Sequence, residues 1–205
     1  MGINFSEVNF SYQAPRKRRA VVYTLKDINL EIKDKDEFVA IVGHTGSGKS
    51  TLVQLMNALL LPHSGKLEIF GTEVNKKVTL KPIRKRVGLV FQFPEYQIFE
   101  ETVLKDIAFG PKNFGLADPE GRAREVADIM GISDLLERSP FTLSGGQLRK
   151  VAISGILASD PDILILDEPT VGLDPFTKSE LLGPLKRLNE EYGKSIIVIT
   201  HDMGV

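Results

Sequence analysis

The chain has 205 residues, of which 42% are hydrophobic and 26% charged, a composition typical of one globular domain with an ample core. Its formal net charge of −1 excludes a global field that would attract nucleic acid or acidic lipid, and the lack of cysteine excludes disulfides and thiolate metal sites. No apolar stretch approaches the ~20 residues of a membrane span, and we therefore expect membrane association to come through a partner. One dense basic run, at 16–19, is predicted to be a solvated turn.

In chain order, the first predicted elements are strands. Residues 3–10 and 28–32 alternate apolar with polar side chains, which predicts antiparallel strands with one wet face. Residues 38–42 form a nearly continuous apolar run that ends at Gly43, as a buried parallel strand would. Helical spacing follows at about 49–60.

The middle of the chain is predicted to be helical. Short strands are expected at 67–71 and 87–91, and residues 102–158 are expected to be mostly helix, interrupted at Pro111 among other positions. The helical block suggests a subdomain inserted at about 93–158.

Two aliphatic runs complete the pattern, at 163–166 and 196–199, and both are typical of central strands covered on both faces. We therefore predict a single α/β domain over 1–205, with a mainly parallel sheet, an antiparallel β subdomain and the inserted helical subdomain.

A glycine-rich loop joins the third predicted strand to the first predicted helix. It reads GHTGSGKS from Gly43 to Ser50 and matches the phosphate-loop template of NTPases in its expected strand–helix context. Its backbone N–H groups and the helix dipole favour phosphate, Lys49 is expected to reach the β- and γ-phosphates, and the Ser50 hydroxyl is expected to bind Mg²⁺. The predicted nucleotide-binding residues here are Gly43, His44, Thr45, Gly46, Ser47, Gly48, Lys49, Ser50 and Thr51.

Two adjacent carboxylates, Asp167 and Glu168, end the aliphatic run at 163–166. In phosphate-loop ATPases such an Asp holds Mg²⁺, so Asp167 is assigned to the metal. Glu168 is then free to orient or deprotonate the attacking water as a general base.

A second glycine-rich helix start reads LSGGQ from Leu143 to Gln147, a segment called the signature below. Ser144 can cap the following helix, and the two glycines leave N–H groups bare. The signature is too remote from the phosphate loop to belong to it, which indicates a second phosphate-binding surface.

With these three motifs the chain resembles the ABC-type ATPases, the nucleotide-binding subunits of membrane transporters. Gln92 matches the glutamine loop of that family, 171–174 matches the loop named for its Asp, and His201 matches the switch histidine. Tyr12 matches the aromatic residue that stacks on adenine, with Tyr23 as an alternative.

The resemblance implies a head-to-tail dimer that encloses two ATP molecules, in which Ser144, Gly145 and Gly146, with Gln147, contact the ATP of the partner. It also implies that Gln92 touches Mg²⁺ and the attacking water and that His201 touches the γ-phosphate. The implied catalytic residues are Glu168, Gln92 and His201. The implied metal residues are Ser50, Gln92 and Asp167, and the implied ligands are ATP and Mg²⁺.

A finer resemblance lies in the segments 91–99 and 106–111, which are similar to those of ATPase subunits of energy-coupling-factor (ECF) importers. It implies transport of vitamins or metal ions, a second ATPase subunit (expected to be a different chain), a transmembrane coupling protein and a substrate-binding membrane subunit. The subunit would be peripheral, on the cytoplasmic face of the cell membrane, and would bind no nucleic acid.

Two alternatives stay open. One is the ATPase of a conventional ABC importer or exporter, and the other is a soluble ABC ATPase of DNA repair or translation. Because family members normally continue beyond the switch histidine, a further carboxy-terminal part is expected after Val205.

Overall fold

The structure is a computed structural model that describes residues 2–13 and 21–201. The basic run at 16–19 lies outside the described residues, as does much of the segment between Tyr12 and Tyr23. Two four-stranded sheets and six α-helices make up the described part of the chain. The strands are β1 Ile3–Phe10, β2 Leu25–Ile32, β3 Phe38–Val42, β4 Ser64–Ile69, β5 Thr72–Glu73, β6 Val87–Val90, β7 Ile163–Asp167 and β8 Ser195–Thr200. The helices are α1 Lys49–Met56, α2 Lys81–Arg86, α3 Val103–Asn113, α4 Pro119–Ile129, α5 Gly145–Leu157 and α6 Pro175–Tyr192.

The antiparallel sheet has the order β2-β1-β4-β5, and the parallel sheet has the order β3-β8-β7-β6. Alternate residues of β7 and β8 enter two separate cores. Leu164 and Val198 pack with the helices α3 to α6, whereas Ile165 and Ile197 pack with α1 and the antiparallel sheet. Burial on both faces explains the purely aliphatic sequence of these strands. The predicted fold class is confirmed.

Three details of the sequence prediction are wrong. Strand β3 is an edge of the parallel sheet within the described residues, and Phe38 is 48% exposed, so an apolar run did not mean burial on both faces. Helix α1 ends at Met56, because Ala58 adopts a left-handed φ of 55°. Helix α3 continues through Pro111 to Asn113, although Pro111 has no N–H to donate to the carbonyl oxygen of Ile107 one turn earlier.

Helices α3, α4 and α5 occupy the region that the sequence assigns to a helical subdomain, and the bounds 93–158 stay a prediction. Among the described residues, no helix combines the length and the apolar character needed to cross a bilayer.

Candidate active site

The candidate active site lies at the carboxyl edge of the parallel sheet. The four strands are neighbours and run in the same direction, so the groups that follow them meet at one edge. The phosphate loop follows β3, and Gln92, Glu168 and His201 follow β6, β7 and β8. Each strand of this sheet thus contributes one part of the site.

These groups line a single cavity of about 330 Å³. Its lining residues are Thr24, Thr45, Gly46, Gly48, Lys49, Ser50, Thr51, Gln92, Glu168 and His201. The structure therefore brings together the phosphate loop, Gln92, Glu168 and His201, which the sequence predicted from four separate segments. Thr24 was missed: its carbonyl oxygen lies against Gly48, a contact between distant segments that no local pattern signals.

The phosphate loop owes its shape to glycines with positive φ. Gly46 has φ 82° and Gly48, which directly precedes α1 as its N-cap, has φ 91°, values that other residues rarely adopt. Lys49 Nζ donates to the carbonyl oxygens of Gly43 at 2.6 Å and His44 at 3.0 Å. The ammonium group is thus held over the loop, at the rim of the cavity.

Asp167 and Ser50 form the candidate metal pair. Asp167 is only 5% exposed, and the hydroxyl of Ser50 donates a hydrogen bond to its carboxylate. Burial raises the pKa of Asp167, the negative charge of Glu168 adds to this, and Ser50 and Lys49 act against it. A carboxylate and a hydroxyl are the hard oxygen donors that Mg²⁺ prefers. Within the described residues, no group of three or more His, Cys, Asp or Glu side chains is placed so that it could hold a metal ion.

Glu168 is held in an unusual backbone conformation, with φ 52°. Its N–H donates to the carbonyl of Ile199 on β8 at 2.9 Å, so the end of β7 is tied to the neighbouring strand. His201 Nδ1 lies 2.6 Å from Glu168 Oε2, within hydrogen-bond distance. The carboxylate faces the cavity with one oxygen already oriented by a histidine, an arrangement suited to general base catalysis.

Tyr12 stands next to the helix that follows the phosphate loop. Its hydroxyl is 3.1 Å from that of Thr51, and its ring meets Phe10 edge-on with centroids 5.0 Å apart. The ring is 63% exposed and so has a face available for stacking. Tyr23 has no such contact with the residues of the cavity among the described interactions, so the geometry favours Tyr12 as the aromatic partner of a base.

The signature lies apart from this cavity. Ser144 Oγ accepts from Gln147 N at 3.3 Å, and Gln147 Oε1 accepts from Ser144 N at 3.0 Å, which forms a capping box at the start of α5. Gly146 packs against Thr177 of α6, which leaves no room for a side chain. Ser144, Gly145, Gly146 and Gln147 are absent from the described lining of the cavity. One chain therefore presents two separate glycine-rich surfaces.

Comparison with known proteins identifies the family. The profile described as ABC transporter matches residues 25–171. The energy-coupling factor transporter ATP-binding protein EcfA2 of Caldanaerobacter subterraneus subsp. tengcongensis is 55% identical over 207 residues, covering 99% of this chain and 71% of that protein. The chain belongs to the ABC transporter family. Within the family it groups with the energy-coupling factor transporter ATP-binding proteins, and it is an ATPase.

Solved structures agree with this assignment. The structure of cbiO1 from Clostridium perfringens, described as part of the ABC transporter complex cbiONQ, matches this ABC ATPase with a TM-score of 0.85 and 37% identity over 98% of this chain and 78% of that one. The ATP-binding cassette MJ0796, in a dimeric post-hydrolysis state bound to ADP and Pi, matches with a TM-score of 0.84 and 33% identity over 98% of this chain and 88% of that one.

Arg149 of this ABC ATPase is a further residue near the site, and the sequence did not single it out. It lies on α5 and is 5% exposed, and its guanidinium donates to the carbonyl oxygens of Pro169 at 3.1 Å and Val171 at 2.8 Å. It also forms an ion pair with Glu95 at 3.4 Å. The sequence offers only one local sign of this role, an arginine beside the apolar face of α5. The partners of Arg149 are far away in sequence, so no local pattern reveals its contacts.

Asp174, the last residue of the predicted loop at 171–174, lies at the start of α6. It caps α6 and accepts from Phe176 N, from Thr177 N and, at 2.6 Å, from Thr177 Oγ1. The hydrogen bond from the Thr177 hydroxyl is the main cause that lowers the pKa of Asp174. The cap places the start of α6 beside the start of α5, where Gly146 meets Thr177.

Proposed function

We propose that this chain is the ATP-hydrolysing subunit that energises an ECF-type importer of vitamins or metal ions, bound peripherally at the cytoplasmic face of the cell membrane. The observation that carries the proposal is the single cavity in which the phosphate loop meets Gln92, Glu168 and His201. Its high identity to proteins named as energy-coupling factor transporter ATP-binding proteins supports the subfamily.

The cavity residues have distinct proposed roles. The N–H groups of the phosphate loop cradle the phosphates, and Lys49 neutralises charge on the β- and γ-phosphates. Ser50 and Asp167 hold Mg²⁺, with the Gln92 amide oxygen as a further ligand. When bound there, the ion neutralises phosphate charge as the terminal group is transferred.

Glu168 acts as the general base in this proposal. It accepts a proton from the attacking water while His201 keeps the carboxylate oriented through the 2.6 Å contact. His201 lies on the cavity wall and can also reach the terminal phosphate. Gln92 positions the water, and Tyr12 stacks on adenine.

The second glycine-rich surface implies a second subunit. Because the signature is remote from the cavity of its own chain, its Ser144 cap and bare glycine N–H groups are proposed to contact ATP held by another ATPase subunit. We expect a head-to-tail dimer with a related but different chain. A dimeric neighbour structure supports the dimer. Hydrolysis removes the phosphate that bridges the two subunits, so the dimer opens.

A group of exposed aromatic side chains is proposed to receive the membrane partners. Phe93, Tyr96, Phe99 and Phe109 are all exposed, and Tyr96 is 85% exposed. Phe99 and Phe109 meet edge-on with ring centroids 4.7 Å apart. Gln97, which lies between Tyr96 and Phe99 in the chain, lines a groove of about 230 Å³ together with Phe91 and Phe114, and this groove is called the docking groove below. Exposed aromatic rings next to a groove suit the insertion of a helix from a transmembrane coupling protein.

The test is to purify the chain with its partners from detergent-extracted membranes and to measure ATP hydrolysis. We expect a second ATPase and two polytopic proteins, with hydrolysis abolished by Glu168→Gln and ATP binding retained. Glu190→Gln, an exposed carboxylate of α6, is the matched control and should hydrolyse ATP normally. Normal turnover by Glu168→Gln would refute the assignment of the base, and robust hydrolysis without any membrane protein would favour a soluble ABC ATPase.

A further inference from the structure

The segment from Asn75 to Arg86 is a strongly positive stretch of the described chain. It contains six basic residues and no carboxylate, although the whole chain is close to neutral at −1. The basic residues are Lys76, Lys77, Lys81, Arg84, Lys85 and Arg86. Since the Debye length is about 8 Å at physiological salt, such a segment sets the local field whatever the net charge.

This segment, called the basic segment below, borders the docking groove. Arg84 and Lys85 line the groove, and Lys81 Nζ stands 5.9 Å from the ring centroid of Phe114, which lines it as well. The positive charge is therefore continuous with the surface that we assign to membrane proteins. If the docking groove receives a membrane protein, as proposed, the basic segment beside it faces the bilayer as well.

Intramolecular contacts leave the lysines as the available charges. Arg86 pairs with Asp162 at 2.6 Å and stacks over Phe70, and Arg84 donates to the carbonyl oxygen of Ala58 at 2.9 Å. Lys76 and Lys77 are exposed and, among the described interactions, pair with no carboxylate. The free charges are thus flexible ammonium groups spread over a turn and a helix.

We propose that the basic segment binds anionic phospholipid headgroups and so orients the subunit against the membrane. Clusters of this size bind acidic lipid surfaces, each cation adding to the attraction. Dispersed lysine ammonium groups are suited to binding a layer of mobile headgroups. A single fixed carboxylate would instead favour a bidentate arginine. The inference rests on the proposed peripheral membrane location, but not on any particular membrane partner.

The test uses the full chain and phosphatidylcholine vesicles, with or without phosphatidylglycerol, in a sedimentation assay. We expect binding only to the anionic vesicles and its loss at high salt. The triple variant Lys76→Gln, Lys77→Gln, Lys81→Gln should bind about a hundredfold more weakly, from about 1 kcal/mol per cation.

The matched control removes three positive charges elsewhere, through Lys26→Gln on β2 and Lys186→Gln with Arg187→Gln on α6. It should keep most of the vesicle binding. Equal losses in the two variants, or no preference of the wild-type chain for anionic vesicles, would overturn the proposal. A third result would also overturn the proposal. If the wild-type chain does not bind vesicles and the variant of the basic segment no longer co-purifies with membrane proteins, the basic segment binds an acidic polypeptide and not lipid. Since vesicle binding needs no partner, its failure is distinguishable from failure of the proposed transport function.

Discussion

Replacing Arg149 by Met tests whether one buried guanidinium holds the active-site loop. Methionine approximates the length of the arginine stem but donates no hydrogen bond. The change leaves the carbonyl oxygens of Pro169 and Val171 without this donor, and it leaves the half-buried carboxylate of Glu95 without its cation. Both losses occur in a region from which water is largely excluded.

The geometry indicates which loss matters more. The contact with Val171 is 2.8 Å, whereas the ion pair with Glu95 is 3.4 Å and leaves Glu95 Oε2 and Arg149 Nε buried without a partner. We expect Arg149→Met to lower the free energy of unfolding by about 3–5 kcal/mol, because two buried carbonyl oxygens each lose a donor at a cost of about 1–3 kcal/mol. Glu95→Gln keeps an acceptor oxygen and should cost about 1 kcal/mol or less.

Urea denaturation of the purified chain measures both values. Arg124→Met is the control, because Arg124 forms an exposed pair with Glu137 and should cost less than about 1 kcal/mol. Equal destabilisation by Arg149→Met and Glu95→Gln would refute the reasoning, because it would mean that the ion pair, and not the carbonyl contacts, carries the stability.

Two further predictions concern charged groups. Lys49→Ala should weaken ATP binding by at least tenfold in equilibrium titration, because it removes an ammonium group held over the phosphate loop, and unchanged affinity would contradict this. Asp106 is buried, and desolvation raises its pKa although its Oδ1 accepts from the N–H groups of Phe99 and Glu100. The pKa of Asp106 is therefore higher in the folded than in the unfolded chain. As the pH rises from the unfolded pKa to the folded pKa, the contribution of Asp106 to the free energy of unfolding falls. Asp106→Asn keeps the acceptor oxygen and should be at least as stable as wild type at pH 7, with the gain disappearing in acid. If Asp106→Asn is less stable than wild type at pH 7 and the difference shrinks in acid, ionised Asp106 stabilises the fold and the prediction is wrong.

Most of the fold could be predicted from periodicity. The alternation in β1 and the aliphatic runs of β7 and β8 reflect burial on one face and on two faces, which local sequence records directly. The exposure of strand β3 was not predicted, because its apolar sequence does not reveal whether a further strand pairs with its outer edge. The helix through Pro111 was not predicted because the local cost of a proline can be outweighed by packing, and the core contacts of α3 are made with residues distant in sequence.

The candidate site could be predicted where chemistry requires contiguous residues. The phosphate loop depends on glycines at fixed spacing, and the Asp167–Glu168 pair sits at a strand end, so both are visible in the sequence. Thr24 and Arg149 were invisible because they act through contacts with carbonyl groups and loops distant in sequence. Residue type alone does not distinguish such side chains from ordinary surface groups.

The position of Arg149 relates the catalytic loop to the docking surface. Its guanidinium contacts the carbonyl of Pro169, which directly follows Glu168, and also Glu95, which lies in the 3₁₀ turn that carries Tyr96. The arginine itself lies on α5, the helix that begins at the signature. Because a buried ion in a packed core has few alternative partners, displacement of any one of these three elements must strain the contacts of the other two. One side chain of the signature helix thus contacts both the loop that follows Glu168 and the turn that carries Tyr96.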